Sequence, residues 1–355
     1  MRVLILYTEL AAYTIASLKQ FLHDYPDSEL LIIHYPINPE APFVFNELPR
    51  SKWFTYDSQK HTEISKLVED FNPNILLCSG WINKFYIELT KSLTQVKHKV
   101  LMLDTPWQGS WKQKIWSLIA KKTMLKSFNY AFVAGDSQAL YAKKLGFHSK
   151  CIYKGLYVAD VDLYQTIGEQ KLANKDSVYP KTLISVARYI PQKNLNTLWQ
   201  AFINANSKQN NKWELHCYGL GQLFEERVEH ESIFHHGFVQ PSNMKEEIMK
   251  AGVFVLPSVY EPWGVVVHEM SLSALPLVLS NKVGAASLFL DLSNGYSFSP
   301  LNQVELQSAL EQIMNKTDDE LWQMAENSYQ NGLKLTQQMW SKSIHQIYNS
   351  TACVE

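Results

Sequence analysis

The sequence predicts an α/β protein made of two doubly wound, Rossmann-like domains with parallel sheets. Three observations predict it. Short apolar runs of strand length alternate with segments whose apolar residues recur at helical spacing, the pattern of βαβ units. The alternation runs through once, meets a polar and poorly periodic stretch around Gln165 to Pro180, and then starts again. Finally, 355 residues are too many for one ordinary domain and fit two of about 150 to 180.

In chain order, Arg2 to Tyr7 (RVLILY) reads as the first strand, and Leu10 to His23 as a helix with Ile15, Leu18 and Leu22 on one face. Further strands are expected at Leu30 to His34, Trp53 to Tyr56, Ile75 to Ser79, Val100 to Leu103, Tyr130 to Ala134 and Cys151 to Tyr153. Helices at 60–71, 83–94, 111–126 and 137–145 lie between several of them. In the second half, strands at Leu183 to Ala187, Glu214 to Tyr218, Ile233 to His235, Val253 to Leu256 and Leu277 to Leu279 alternate with helices at 194–207, 222–229, 242–250 and 265–274. The tail from Leu321 to Asn349 reads as helical. Its Met339-Trp340, Ile344, Ile347 and Tyr348 pack either on the second domain or back on the first. The expected division is 1–168, 169–336, and a C-terminal helix at 337–355.

Composition excludes several classes. A net charge of −1 offers no global attraction to nucleic acid. No apolar stretch approaches the roughly 20 residues that cross a bilayer, and the opening MRVLILY lacks the longer apolar core of a signal peptide. Cys78, Cys151, Cys217 and Cys353 are far apart with no metal-ligand spacing, and read as reduced, mostly buried thiols of a cytoplasmic protein.

The chemistry concentrates in VFVLPSVYEPWGVVVHEMSLSALPLVLS, Val253 to Ser280. Pro262 lacks a backbone donor and Gly264 favours conformations other residues avoid, so Glu261-Pro262-Trp263-Gly264 is a loop between two buried strands. A helix follows from Val265. Glu261 then stands at the loop tip and Glu269 in the helix, at the carboxyl end of the sheet, where open α/β sheets bind ligands. The helix start leaves amides unpaired and welcomes an anion. Two carboxylates beside it suit neutral hydroxyls, and a nucleotide-sugar supplies anion and hydroxyls together. By itself, E-x7-E reads rather as an ordinary βαβ unit, with Glu261 solvated in a loop and Glu269 on an exposed helix face.

Upstream, TLISVARYIPQKNLNTLWQAF places Arg188 and Lys193 in a turn before a helix at Asn194. Two cations at a helix start oppose its dipole unless an anion sits between them, which points to a diphosphate or else to solvated surface charge. Arg188 offers a bidentate fork and Lys193 a movable point charge. Tyr218-Gly219-Leu220-Gly221 ends a strand with glycines that admit close backbone approach to a ligand, or make a plain turn. His235 and His236 are adjacent on a strand, so their side chains point to opposite faces and do not share a metal.

PS-x-x-EP-[aromatic]-G-x4-E-M, preceded by strand-Ala-Arg…Lys-Asn, resembles the donor site of the retaining glycosyltransferases of family 4, glycosyl transferases group 1. The resemblance implies the GT-B arrangement, two Rossmann-like domains facing across a cleft. It implies Glu261 against the donor sugar, Glu269 on the ribose hydroxyls, and the amides of Gly264 and Val265 on the sugar or diphosphate. Gly219 would line the nucleotide pocket, and Phe238-Val239 would meet the base. Arg188 and Lys193 would stabilise the departing diphosphate without a metal ion. Retention would follow from front-face attack in which the leaving phosphate takes the acceptor proton. Glu9-Leu10-Ala11-Ala12 stands where many relatives carry paired glycines, which leaves the first domain's contact with the donor open.

In the first domain Asp104-Thr105-Pro106 follows a buried strand, and Asp104 is the candidate for positioning an acceptor hydroxyl or, alternatively, a turn-forming residue. From Thr105 to Gly135 there is no acidic residue, while five lysines are interleaved with Trp107, Trp111 and Trp116. Residues 111–126 therefore read as an element for an anionic membrane surface, or as an ordinary helix with solvated lysines. The expected activity is transfer of a sugar from a UDP- or GDP-sugar to a glycan or lipid-linked hydroxyl in cell-surface polysaccharide synthesis, with no metal or other cofactor, in the cytoplasm or at the inner face of the membrane. Alternatives are an epimerase or sugar phosphorylase of the same shape, or a non-catalytic nucleotide-sugar or glycan-binding subunit. A nicotinamide dehydrogenase is disfavoured, since no strand is followed by G-x-G-x-x-G.

Overall fold

A computed structural model describes residues 1–44, 46–175, 177–210 and 212–353. The chain divides into two compact units, one of residues 1–38, 43–158 and 336–355, the other of 39–42 and 159–335.

The first unit is built on seven strands, β1 (Arg2–Tyr7), β2 (Glu29–His34), β3 (Ser51–Thr55), β4 (Ile75–Ser79), β5 (His98–Leu103), β6 (Tyr130–Val133) and β7 (Ile152–Lys154). They form one parallel sheet in the order β3-β2-β1-β4-β5-β6-β7. Helices α1 (Ala12–Asp24), α2 (His61–Phe71), α3 (Lys84–Ser92), α4 (Trp111–Thr123) and α5 (Asp136–Leu145) connect them. Parallel strands covered on both faces are apolar throughout, and Leu4, Ile5, Leu31, Ile32, Leu76, Leu77 and Leu101 are all buried.

The second unit carries β8 (Thr182–Val186), β9 (Glu214–Tyr218), β10 (Ile233–His235), β11 (Val253–Leu256), β12 (Leu277–Ser280) and β13 (Gly295–Phe298) in the order β10-β9-β8-β11-β12-β13. Its helices are α6 (Val161–Leu172), α7 (Leu195–Ser207), α8 (Lys245–Lys250), α9 (Val265–Leu272), α10 (Ala286–Phe289), α11 (Gln303–Met314) and α12 (Asp318–Gly332). In both sheets the order reverses beside the first strand, the switch point at which doubly wound sheets open a ligand site.

Several local expectations change. The stretch read as a linker begins inside α6, where Asp160 Oδ1 caps the helix by accepting from Leu163 N at 3.3 Å and Tyr164 and Ile167 turn inward. No helix spans 222–229. Gly221 keeps an extended, positive φ and only the short 3-10 turn Phe224–Glu226 forms. The single tail helix is two, because Thr336 Oγ1 caps a new helix, α13 (Gln337–Asn349). α13 belongs to the first unit. There Trp340 Nε1 donates to Leu156 O at 3.0 Å and its ring meets Phe21 and Phe132. The cysteines also depart from expectation. Cys151 and Cys353, with Cα atoms 6.2 Å apart, are joined in a disulfide, and only Cys78 and Cys217 are free and buried. Separation along the chain hid this pair, since α13 brings the C-terminal segment back beside β7.

Candidate functional site

Three loops at the carboxyl ends of β8, β11 and β12 are laced into one surface. Val259 N donates to Gln192 O at 2.9 Å, and Gln192 Nε2 to Tyr260 O at 2.6 Å. Glu261 N donates to Lys282 O, and Gly284 N returns a bond to Glu261 O, both at 3.0 Å. Asn194, in the left-handed region at φ 55°, donates to the carbonyls of Pro257 and Pro300. Each loop's backbone groups are thus paired by another loop, which gives this irregular surface a defined shape.

On that surface Lys193 Nζ and Glu261 Oε2 form an ion pair whose side chains are only 15% and 12% exposed. Ser258 Oγ donates to the same carboxylate oxygen at 3.4 Å. Gly264 sits beside it with φ 89°. A Cβ there would stand 2.9 Å from Glu261 Cγ, so glycine permits both the turn and the closeness of the carboxylate. α9 starts at the next residue, Val265, and its first amides have no intrahelical partner.

Glu269 lies about one turn further along α9. Burial pushes its carboxyl up to about 7, a neighbouring charge on Asp160 adds to the rise, and a hydrogen bond from Tyr164 opposes it. The preceding His268 is fully buried. Its Nδ1 accepts from Ala159 N at 3.1 Å and its Nε2 donates to Gly332 O at 2.9 Å, which defines a neutral tautomer, and burial lowers its pKa to about 4.

Arg188 makes its ion pair elsewhere, with Nη1 3.4 Å from Glu40 Oε2, and keeps 38% of its side chain exposed. Gly219, at φ 139°, donates to Gly237 O at 2.6 Å, and a Cβ on it would meet Ala187 O at 2.0 Å, so β9 and the Arg188 loop touch backbone to backbone. Phe238 and Val239 follow Gly237 and are partly exposed. His235 and His236 turn to opposite faces, the first to Tyr189 Oη at 2.8 Å and the second onto the ring of Tyr218.

In the first unit Asp104 follows β5. Its carbonyl accepts from Gln138 Nε2 at 3.0 Å and its Oδ1 from Thr105 Oγ1 at 3.3 Å. Its charge also adds to the burial that raises the phenols of Tyr7 and Tyr157, Tyr7 to about 12. Sequence reasoning missed Tyr164, Glu40, Tyr7 and Tyr157. For Tyr164 a signal existed, since Asp160 followed by apolar residues at 161, 164 and 167 is a capped helix start. For Glu40 there was none.

Two parallel-sheet α/β domains joined in one chain form the class seen in several solved structures. Sucrose-phosphate synthase from Thermosynechococcus elongatus superposes with a TM-score of 0.73 at 14% identity, covering 98% of both chains. Anabaena HepE in complex with UDP and glucose does so at 0.69 and 13%, covering 98% of both. The trehalose-6-phosphate structure from E. coli bound with UDP-2-fluoro glucose gives 0.72 at 11%, covering 99% of this chain and all of that one. Residues 169–332 match the family glycosyl transferases group 1. An uncharacterized glycosyltransferase of Methanocaldococcus jannaschii is 26% identical over 182 residues, 47% of this chain and 45% of the relative's length.

Proposed function

We propose that the protein is a retaining, metal-independent glycosyltransferase that moves a sugar from a nucleoside diphosphate donor to a hydroxyl of a glycan or lipid-linked glycan. The observation that carries the reading is the shielded Lys193–Glu261 pair at the start of α9, with Glu269 further along the same helix. In this role Lys193 and Arg188 hold the diphosphate and stabilise the charge that develops on it as the glycosidic bond breaks. Donor binding exchanges the contact of Lys193 with Glu261 for one with phosphate, and frees Glu261 to accept from sugar hydroxyls. Glu269 accepts from the ribose. The amides of Gly264 and Val265 face the sugar or diphosphate, Gly219 lines the nucleotide, and Phe238 and Val239 flank the base. Asp104 orients the acceptor hydroxyl, and the leaving phosphate takes its proton, so no separate base is needed.

UDP in the HepE complex and UDP-2-fluoro glucose in the E. coli structure favour uridine as the base, ahead of GDP-sugars. The work belongs where nucleotide-sugars are made, on the cytoplasmic side of cell-surface polysaccharide assembly. The test is a panel of UDP-, GDP- and ADP-sugars read by thermal shift, followed by an assay of nucleoside diphosphate release with and without chelator. A saturating donor should stabilise the protein by roughly 2.7 kcal/mol at a hundred times its Kd. No stabilisation by any member of the panel ends this reading.

A further inference from the structure

We propose that the outward face of α4 docks the protein on an anionic lipid surface. The helix has two apolar sides. Ser117, Ala120 and Met124 are buried and turn α4 toward the sheet. Residues on a helix advance about 100° each, so the opposite side carries Trp111, Ile115 and Leu118, and these are 67%, 51% and 70% exposed. A helix on a globular surface ordinarily presents charge on that side. Here Ile119 and Leu125 widen the exposed apolar stripe, and all five of these side chains rank among the protein's exposed large hydrophobics.

The lysines stand mostly at the margins of the stripe. Lys114 and Lys121 flank one side, Lys112 the other, and Lys122 rises within it near the C-terminal end, all of them exposed. Lys112 Nζ lies 5.7 Å from the Trp111 ring centroid, an ammonium and an indole side by side. Lysine stems lie along apolar surface while their heads stay in water, and tryptophan favours the headgroup layer. Such a helix rests in the plane of a membrane interface.

Charge selects the occupant. Between Thr105 and Gly135 the chain holds five lysines and no acidic residue. A second copy of this chain would bring the same five cations against them, so self-docking through this face is opposed, whereas phosphate headgroups neutralise them. The docking goes beyond glycosyl transfer and requires no donor, so it is tested without one.

The test is flotation of the full-length protein with vesicles of phosphatidylcholine alone and of phosphatidylcholine mixed with phosphatidylglycerol, at low and high salt. Binding should appear with phosphatidylglycerol, weaken with salt, and fall about 25-fold in the K121Q/K122Q double variant, at roughly fivefold per lysine. Leu118→Glu should abolish it. Both variants alter exposed side chains, so their thermal unfolding and donor-nucleotide binding should match the parent. Equal binding to neutral vesicles, no binding to either, or unchanged binding of Leu118→Glu overturns the proposal. So does a dimer of the parent that Leu118→Glu dissociates.

Discussion

Lys193, in the turn after β8, and Glu261, in the loop after β11, close on each other as an ion pair that solvent barely reaches. Two distant loops thereby put one positive and one negative group at the start of the same helix, α9. A charge pair so placed is an expensive surface feature unless it is exchanged for ligand contacts, because its desolvation is only partly repaid by attraction.

Lys193→Met keeps the aliphatic bulk and removes the charge. Turnover of the nucleotide-sugar should fall by roughly 10²- to 10³-fold, the cost of losing one preorganised group that stabilises developing charge. Glu261→Gln should weaken transfer while leaving nucleoside diphosphate binding nearly intact, since its proposed contact is with the sugar. Steady-state assays of both variants, beside calorimetric binding of UDP, separate the two roles. Turnover of Lys193→Met within threefold of the parent would remove the lysine from the mechanism.

Glu269 has its carboxyl raised to about 7 by burial. Ribose hydroxyls donate hydrogen bonds, so they select the ionised carboxylate. Donor affinity should therefore rise about tenfold between pH 6 and pH 8, the span over which the free site loses its proton. Glu269→Gln should bind more weakly and lose that slope. A parent slope identical to the variant's would show that the nucleotide alone titrates.

His268 and Glu269 are neighbours on α9 displaced in opposite directions, to about 4 and about 7 from ordinary values of 6.5 and 4.5. Below pH 6.5 the unfolded chain protonates His268 while the folded one does not, so its share of stability is lost as pH falls from 6.5 toward 4. Glu269 works the other way. Between 4.5 and 7 the unfolded chain ionises it and the folded one keeps its proton, so stability is lost as pH rises. Each proton is worth about 1.4 kcal/mol per pH unit at most, with Glu269 contributing less because it retains some accessible surface. The two slopes offset between pH 4.5 and 6.5. His268→Gln should expose a decline in stability with rising pH, and Glu269→Gln an increase. Urea midpoints across that window decide the matter, and equal slopes in the two variants would refute it.

Gly168 lies inside α6, where alanine would ordinarily help the helix by about 0.5–1 kcal/mol. Here a Cβ would stand 2.0 Å from the Leu272 carbonyl oxygen at the end of α9. Backbone cannot step aside as a flexible side chain can, so the clash decides the sign. Gly168→Ala should destabilise by about 1–3 kcal/mol, readable as a lower Tm. A raised Tm would mean that α6 and α9 pack less closely than described.

Much of the protein was written locally. The strand runs Arg2–Tyr7, Ile75–Ser79, Glu214–Tyr218 and Val253–Leu256 occur where their apolar stretches predict them, because parallel strands beneath helices are built mostly from apolar residues. Glu261-Pro262-Trp263-Gly264 announces a loop and a helix start within a few residues. β13 was not legible, since Gly295–Phe298 is short and carries Tyr296 and Ser297 in a partly open edge strand.

Sequence by itself thus determined the alternation of elements, the two sheets, and which side chains stand near a helix start, because periodicity, proline and glycine act over one or two turns of chain. Only the tertiary structure decided that Lys193 meets Glu261, that Tyr164 meets Glu269, that Arg188 meets Glu40 and that Cys151 meets Cys353. Those partners come from segments far apart along the chain. Their protonation and pairing follow from burial and proximity, which exist only once the sheets have packed.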